Sequence, residues 1–429
     1  MIAALTQARA HRTDALTESD LLHVEEQLRT LLLSSFVSGD QSTLTENEKC
    51  LWTNAGTFLA TLLLQRQGKP VQENGNGEDS EDREDNMAEI SRLLSERGFA
   101  YRLSVAALTH NHDVPSKPPG RYAAAWDGIL SDMLLQRLDM AFCPTSNFWD
   151  RHEYSDGSAG IDPSPYFSYI VPLDQKDGGA VDGLDSRKKS ALDVIIDCIR
   201  RQVSTVFPAV LECKHAEWWA HCRPHSSGHQ LHFDSDDEGR GGVRNPVCST
   251  VINLSTDTGV GGETLVTTQT STGKALASKG WLCSNKRNRL LSFRGDLLHG
   301  VIPGPRVPKC DISDCDATMS AGAIRSRRRV TFMVAFWKDI RTQDDDGHGS
   351  ARPFSRVVNE AWAKPLSDPI DIEKEKKIDL DEARDCFFQV PAWEDVDVAK
   401  NKGDGASLKE IRKYKLALPP YQDFFQFFS

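Results

Sequence analysis

Short apolar runs separated by turn-forming residues dominate the centre of the chain. The runs at 248–254, 289–293 and 330–337 are rich in leucine, β-branched and aromatic residues, with glycine, proline and asparagine residues between them. Runs of this kind predict β-strands. We therefore expect residues 210–340 to form a core of two packed sheets.

Helical periodicity prevails before this core. In residues 17–66, apolar residues recur at helical spacing after a Thr17–Asp20 stretch that offers capping side chains. Between residue 66 and the core, a β-branched and aromatic run at 166–172 predicts a strand. The further helices that the pattern predicts are 87–97, about Ala123 to Leu138, and Ser190 to Phe207.

The same patterns suggest how the chain is organised, and they predict the α+β class. An acidic stretch with glycine and asparagine cannot bury apolar surface, so it predicts a mobile loop or linker. The chain ends in an aromatic segment, Tyr421–Phe428, that we expect to dock on the body. The predicted stretches are an N-terminal helical region at 1–70, the acidic linker or loop at 71–86, helical and strand elements supporting the core at 87–209, the core at 210–340, and a C-terminal extension packing on the body at 341–429.

Composition narrows the class of protein. The 429 residues suffice for one large domain with elaborations or for two domains. A net charge of -11 gives no global reason to expect a nucleic-acid partner. No apolar stretch approaches the ~20 residues that span a bilayer, so we expect no membrane partner either.

Cysteine usage bears on the compartment. The 10 cysteines are scattered without paired spacing, which is typical of reduced thiols. We therefore expect a cytoplasmic protein. The segment Met1–Arg12 carries arginine and no acidic residue, so an organelle-targeting role for it stays open. The oligomeric state is not indicated by the sequence.

Candidate metal chemistry lies at His232-Phe233-Asp234. A histidine and an aspartate two apart on an extended segment point to the same side, so both can reach one small ion. His299 follows a strand-like run and a turn, and it is the candidate for a third ligand. Two histidines and one carboxylate form the facial triad of non-haem Fe(II) oxygenases. The alternative is a buried structural His-x-Asp pair.

An ordered set of motifs surrounds this triad. It comprises His232-Phe233-Asp234, the run 248–254, Gly261-Gly262-Glu263-Thr264, His299-Gly300-Val301 and Arg329-Val330-Thr331. The set resembles the 2-oxoglutarate- and Fe(II)-dependent dioxygenase superfamily, in its prolyl-hydroxylase-like branch, over roughly residues 210–340. The resemblance implies a double-stranded β-helix (jelly-roll) core with flanking helices and an N-terminal helical region. It also implies an oxygenase that uses Fe(II), 2-oxoglutarate and O2, with ascorbate as a candidate reductant.

The resemblance also assigns the cosubstrate pocket. Arg329 receives the far carboxylate of 2-oxoglutarate, because a planar guanidinium can meet a carboxylate through two hydrogen bonds. Thr331, two residues along the same strand, adds a hydroxyl. Asn253 takes the place where the family often has a tyrosine, and Thr264 is predicted to point inward near the metal. Arg327 shares the parity of Arg329, so the choice between them stays open.

The substrate side is less defined by sequence. Arg223 could receive a polar group of the substrate, with His221 and Trp219 on the same strand face. His225 and His229 are nearby histidines of the kind that more often pack than bind. A peptidyl substrate, with prolyl residues included, and a small-molecule substrate both stay open.

Two further segments and one alternative function complete the picture. The acidic stretch 234–239 lacks a full calcium-binding pattern and is interpreted as a solvated loop. An insertion, Lys309–Ser326, separates His299 from Arg329 and is either a substrate lid or a surface loop. The alternative to an oxygenase is a non-catalytic or cupin-like metal-binding barrel: an isomerase, a hydrolase or an interaction module.

Overall fold

The structure is a computed structural model, and it describes the chain in separate ranges. These are residues 78–109, 114–116, 118–120, 122–154, 167–173, 188–224, 228–236, 244–255, 262–273, 275–302, 328–341, 351–354, 360–371, 380–383, 385–396 and 415–417, together with residues 25–30, 32, 45, 52, 53, 55–57, 59, 60 and 62–64. The insertion Lys309–Ser326 and the aromatic segment Tyr421–Phe428 lie outside them.

Two large sheets form the centre of the molecule. The 7-stranded sheet has the order β13 (Ala351–Pro353), β3 (Ser168–Pro172), β5 (His215–Pro224), β12 (Arg328–Trp337), β7 (Cys248–Asn253), β10 (Arg289–Arg294), β2 (Ala123–Asp127). The 5-stranded sheet has the order β15 (Phe387–Pro391), β9 (Lys279–Cys283), β8 (Thr264–Thr270), β11 (Leu297–Val301), β6 (His229–His232). The smaller sheets are β16 (Trp393–Asp395), β1 (Phe99–Leu103), β17 (Lys415–Ala417), and β14 (Pro369–Asp371) with β4 (Lys188–Ser190).

The strands from β5 to β12 pair from the outside inward. Strand β5 pairs with β12, β6 with β11, β7 with β10 and β8 with β9, and every pair is antiparallel. Successive pairs alternate between the two large sheets. The chain therefore resembles a long hairpin wound so that its pairs stack in two layers. The antiparallel two-sheet core predicted for residues 210–340 agrees with this pairing.

The inner faces of the two sheets pack against each other. One buried cluster combines Phe293 and Leu291 of β10 with Val266 of β8 and Trp281 of β9. Side chains alternate along a strand, so the remaining buried residues of each strand face outward. They pack under separate layers of helix and loop. The rest of the space between the sheets is a cavity.

Helices cover the outer face of the larger sheet. They pack against buried residues such as Trp218 and Phe332, and the predicted helix from Ser190 to Phe207 is found as Ala191–Ser204. The Ser190 side chain accepts a hydrogen bond from Asp193 N and so satisfies a free amide of the first turn. The helices whose bounds the structure describes are α1 (Glu78–Ser95), α2 (Val105–Thr109), α3 (Asp132–Phe142), α4 (Asn147–Arg151), α5 (Ala191–Ser204) and α6 (Lys364–Ser367), with a 3-10 turn at Pro208–Glu212. None of the described helices is long and apolar enough to cross a membrane.

The predicted helix from Ala123 to Leu138 is wrong in its first part. Residues Ala123–Asp127 form β2, the edge strand that pairs with β10, and helix α3 begins only at Asp132. Alanine favours helices in isolation, but that preference is weak and gives way to tertiary pairing. Here small side chains suit an edge strand that is buried on both faces. Gly128, with φ of +71°, turns the chain out of the strand.

The acidic stretch 71–86 is not a loop throughout. Helix α1 begins at Glu78, and residues 71–77 lie outside the described ranges. Acidic residues are favourable in the first turns of a helix because they face the positive end of its dipole. The later turns bury Ile90, Leu93 and Leu94 beneath the 5-stranded sheet. The helix predicted at 87–97 therefore begins earlier, at Glu78, inside the stretch predicted as a linker.

The C-terminal part of the chain joins both sheets. Strand β13 pairs in parallel with β3, and β15 pairs with β9. Described helical residues near the N-terminus, among them Leu59 and Leu63, are buried in the layer under the 5-stranded sheet. Segments on both sides of the core in sequence therefore close its surfaces.

The turn between β10 and β11 provides a test of the core, because β11 carries His299. At Gly295, a Cβ would lie 2.4 Å from both the Pro246 ring and the Pro246 carbonyl oxygen. We expect Gly295→Ala to lower the free energy of unfolding by about 1–3 kcal/mol, as overpacking does. Chemical denaturation measures this. Gly120→Ala is the control, because its nearest neighbour would be at 3.8 Å. An unchanged unfolding midpoint for Gly295→Ala would contradict the tight turn.

Candidate active site

His232, Asp234 and His299 come together at the inner wall of the core. Strands β6 and β11 pair so that His232 lies directly opposite His299. The Nε2 atoms of His232 and His299 are 3.4 Å and 3.6 Å from Asp234 Oδ1. The ligand atoms of the three residues lie within 4.8 Å of one another. One metal ion at bond lengths of about 2 Å could contact all of them.

Neighbouring groups hold each ligand in place. Ser249 Oγ donates to Asp234 Oδ2 at 2.5 Å, which leaves Oδ1 for the ion. Asn245 Nδ2 donates to the Asp234 backbone carbonyl at 2.7 Å. His299 Nδ1 lies 3.0 Å from the Leu297 carbonyl oxygen. A carbonyl can only accept, so Nδ1 carries the proton and Nε2 is free to bind a metal.

The protonation states also suit a metal. Burial by itself would raise the pKa of Asp234, but His299, His232 and the Ser249 hydroxyl hold it well below its usual range. Burial lowers the pKa of His299 to about 4, against the opposing effect of Asp234. A charged carboxylate and a neutral imidazole are the forms that coordinate metals. The donor set and its geometry therefore fit a divalent transition-metal ion.

A cavity extends from the triad between the two sheets. Including its open mouth, its volume is about 620 Å³. Arg329, Thr331 and Met333 alternate along β12 and all line it, as the predicted register requires. Thr264 of β8 lines it too, on the side of the 5-stranded sheet. Arg327 lies outside the described residues.

Arg329 is a buried cation, with 4% of its surface exposed. Its Nη1 donates to the Gly262 carbonyl oxygen at 2.8 Å. Gly262 has φ of +83°, and a Cβ there would approach Arg329 Nη1 to 2.7 Å. Only glycine combines this backbone conformation with the close approach. The Gly261-Gly262 motif in the sequence thus accounts for the position of the arginine.

The residues predicted for the substrate side line the same cavity. Trp219, His221 and Arg223 of β5 all contribute to its wall. Glu217 has the same parity but accepts a hydrogen bond from Ser168 Oγ at 2.6 Å. His225 lies outside the described residues, whereas His229 lines the cavity with its ring 4.9 Å from that of His232. His229 was interpreted as a packing residue, but it lies on the cavity wall beside the triad.

Asn253 does not line the cavity. Its side-chain oxygen accepts a hydrogen bond from Ser255 N at 3.1 Å, where β7 ends. Val251, two residues earlier, takes the place on the cavity wall. Asn253 is nevertheless the direct cross-strand partner of Thr331, which lines the cavity, so its place in the cosubstrate pocket stays a prediction.

The acidic stretch 234–239 is less solvated than expected. Within its described part, Asp236 is buried and pairs with Arg244 at 2.9 Å. It also accepts a hydrogen bond from Arg341 N at 3.0 Å. These contacts tie the segment that follows Asp234 to the end of β12. They make it a support for the metal ligands.

Sequence reasoning missed Tyr154 as well. Its hydroxyl lies 3.1 Å from His221 Nδ1 and accepts a hydrogen bond from Arg223 Nε at 3.3 Å. Tyr154 lies 78 residues before His232 in the sequence, so no local pattern connects it with the cavity. Ser249 was missed for a related reason, because a serine inside a strand carries no distinctive signal.

Comparison with known proteins gives structural neighbours only. No family model matches the chain, and no curated protein matches it. A prolyl-4-hydroxylase from Pseudomonas putida is 14% identical, with a TM-score of 0.28, covering 55% of this chain and 100% of its own. A viral collagen prolyl hydroxylase from Paramecium Bursaria Chlorella virus-1 is 13% identical, with a TM-score of 0.25 and coverages of 53% and 97%. HygX from Streptomyces hygroscopicus, with nickel and 2-oxoglutarate bound, is 11% identical, with a TM-score of 0.24 and coverages of 54% and 91%.

These structures are what the chain is similar to, at low sequence identity. The TM-scores are too low to define the fold or the function by themselves. What the site can do follows from its own geometry: a facial set of two histidines and one carboxylate, beside a cavity with a buried arginine.

The hydrogen bond from Ser249 to Asp234 can be tested by metal binding. We expect Ser249→Ala to weaken the binding of Ni(II) or Fe(II) by about tenfold, because partners of ligating carboxylates contribute to metal affinity. Isothermal titration under anaerobic conditions measures this. Ser292→Ala is the matched control, since Ser292 is a fully buried strand serine that bonds to the Ala124 carbonyl. Equal metal affinity in both variants would show that this hydrogen bond does not support the site.

Proposed function

We propose that the protein is an Fe(II)- and 2-oxoglutarate-dependent dioxygenase whose strands β5 to β12 form a double-stranded β-helix. The observation that carries the proposal is the position of the triad on the wall of a cavity that also contains Arg329. The nested pairing of the strands, from β5 with β12 to β8 with β9, supports the assignment of this fold. The reaction couples the oxidation of a substrate C–H group by O2 to the oxidative decarboxylation of 2-oxoglutarate, which yields succinate and CO2.

His232, Asp234 and His299 would hold the iron. Two neutral imidazoles and one carboxylate suit Fe(II) and leave its other positions open. When bound, Fe(II) supplies the activation of O2 that is coupled to decarboxylation of 2-oxoglutarate. The fixed imidazole of His299 and the Ser249 bond to Asp234 keep the three ligand atoms on one side. The open side then faces the cavity.

Arg329 and Thr331 would bind the far carboxylate of 2-oxoglutarate. The guanidinium is already oriented by the Gly262 carbonyl, so little side-chain entropy is lost when the carboxylate arrives. Burial strengthens the attraction between the two charges, because less water screens them. Thr331 faces the same way from two residues along β12.

The apolar part of the wall has its own role. Trp219, Val251, Val301 and Met333 line the cavity between the polar groups. Such a lining excludes water from the reacting groups and favours an organic substrate body. Peptide and small-molecule substrates are both compatible with this wall. We also propose a cytoplasmic location, which accords with free thiols at all of the described cysteines.

The function is tested by turnover. Purified protein with Fe(II), ascorbate, O2 and 2-oxoglutarate should form succinate, and candidate substrates should increase the rate. A cupin-like isomerase, a hydrolase or an interaction module would form none. Absence of succinate under these conditions, with iron bound, would overturn the proposal.

The triad is tested by single and double substitutions. His232→Ala, Asp234→Ala and His299→Ala should each abolish succinate formation and metal binding. Because the three ligands act on one ion, a double variant should lose no more than a single one. His215→Ala is the control, since His215 lies at the opposite end of β5 from Arg223. Turnover retained by two of the three triad variants would place the metal elsewhere.

The cosubstrate site is tested by binding. Arg329→Gln should weaken 2-oxoglutarate binding by roughly thirtyfold or more, corresponding to ~2–5 kcal/mol for a buried charge partner. Metal affinity should change by less than about twofold, because Arg329 is not among the ligands. Lys338→Gln is the charge-matched control, because Lys338 is an exposed residue just after β12 that pairs with Glu212. If Arg327→Gln reproduces the effect and Arg329→Gln does not, Arg327 holds the cosubstrate.

A further inference from the structure

Two arginines face each other across β5 and β12 at one end of the cavity. Arg223 and Arg329 are direct partners in the strand register, and both line the cavity. Like charges directly opposite each other in a sheet are destabilising. The proposed function gives Arg329 a negative partner in 2-oxoglutarate. It leaves Arg223 without one.

The two guanidiniums are anchored in different directions. Arg329 Nη1 donates to the carbonyl of Gly262, which precedes β8. Arg223 Nη1 lies 3.4 Å from the carbonyl of Gly228, which precedes β6. In the 5-stranded sheet, β11 with His299 lies between β8 and β6. The two arginines are therefore directed to opposite sides of the metal strand, as expected for two separate anions.

The surroundings of Arg223 supply donors. Arg223 Nε donates to the Tyr154 oxygen, so the Tyr154 hydroxyl proton is available to His221 Nδ1 at 3.1 Å. We accordingly assign the His221 proton to Nε2, which makes that atom a donor as well. His229 follows with its ring 5.0 Å from that of His221. This part of the cavity thus combines a guanidinium with imidazole N–H groups.

Among the described residues, no carboxylate accepts a hydrogen bond from Arg223, and Asp234, on the same cavity wall, is a metal ligand in the proposed function. The oxygens that accept from Arg223 belong to Tyr154 and Gly228, and both are neutral. The excess of positive charge acts on its neighbour: burial, then Arg223 and Arg329, lower the pKa of His221 well below its usual range. A half-buried cation without a counter-ion is costly unless a ligand provides the negative charge.

We propose that Arg223, together with His221, binds an oxyanion of the primary substrate, a carboxylate or a phosphate. This inference rests on the proposed function, in which Arg329 and the metal hold 2-oxoglutarate. Tyr154 is a positioning residue that orients both donors. The wall of the same cavity also includes the apolar side chains of Trp219 and Met333. The substrate class is therefore an organic acid or phosphate ester with an apolar body, whose charged end is fixed while a C–H group faces the iron.

The test uses simple probes, because the substrate is unidentified. Protein is loaded with Ni(II) and saturating 2-oxoglutarate, and then titrated calorimetrically with benzoate, with neutral benzamide of the same shape, and with inorganic phosphate. We expect benzoate or phosphate to bind at least about tenfold more tightly than benzamide, in line with charge-assisted hydrogen bonds. Benzoate binding would indicate a carboxylate, and binding of phosphate alone a phosphate ester.

The variants separate this site from the cosubstrate site. Arg223→Gln should abolish the preference for the anion while changing 2-oxoglutarate affinity by less than about twofold. Arg329→Gln should show the reverse. Arg223→Lys keeps the charge without the planar fork, so it should retain part of the preference, and it decides the question if Arg223→Gln does not fold. Lys338→Gln controls for a change in overall charge.

Three results would overturn the inference. The first is a wild-type protein that binds benzamide as well as it binds the anions. The second is an anion preference that survives in Arg223→Gln. The third is a loss of 2-oxoglutarate binding in Arg223→Gln as large as that in Arg329→Gln, which would assign Arg223 to the cosubstrate. Failure of the wild-type protein to bind 2-oxoglutarate appears before any probe is added, and it would overturn the proposed function together with this inference.

Discussion

The register between β6 and β11 is the constraint on which the site depends. It places His232 opposite His299, and a shift by one residue would turn either side chain to the outer face. Burial fixes this register. Leu231 of β6 and Leu298 of β11 are almost fully buried in the outer layer, so the histidines next to them must face inward. The hydrophobic effect that packs the helical layer thus also sets the geometry of the metal ligands.

The sequence predicts the parts of the site that depend on strand parity. Arg329 and Thr331 share a face of β12 because side chains alternate along a strand, and Asp234 stays beside His232 although it lies two residues past the end of β6. Position along a strand depends on where the partner strands end, which the sequence does not show. The error at Ala123 arises because three alanines carry a helical preference that an edge strand overrides. Tyr154 could not be predicted, because it reaches His221 through the tertiary fold alone.

Charge is distributed in opposite ways on the outside and the inside of this protein. The whole chain is acidic, with a net charge of -11. The cavity instead places two arginines and several histidines around a single carboxylate, Asp234. A cavity of this sign attracts anions, and its apolar walls weaken screening by salt. The proposed cosubstrate is a dianion, which accounts for Arg329. Arg223 then needs a second anion, which the substrate would supply.

The metal and cosubstrate sites depend on different parts of the fold from the proposed substrate subsite. His232, His299 and Arg329 lie on strands β6, β11 and β12, and Asp234 lies just after β6, so the register of these strands fixes the metal and cosubstrate sites. Arg223 and His221 also lie on a strand, but Tyr154 orients them from the segment that follows helix α4. Glu153, with φ of 49°, turns the chain there, and Tyr154 N donates to the Trp149 carbonyl at 2.9 Å. Its ring also packs 4.9 Å from that of Trp149. An appended segment can change without disturbing strand register, so the geometry of the substrate side can vary while the metal and cosubstrate sites stay intact.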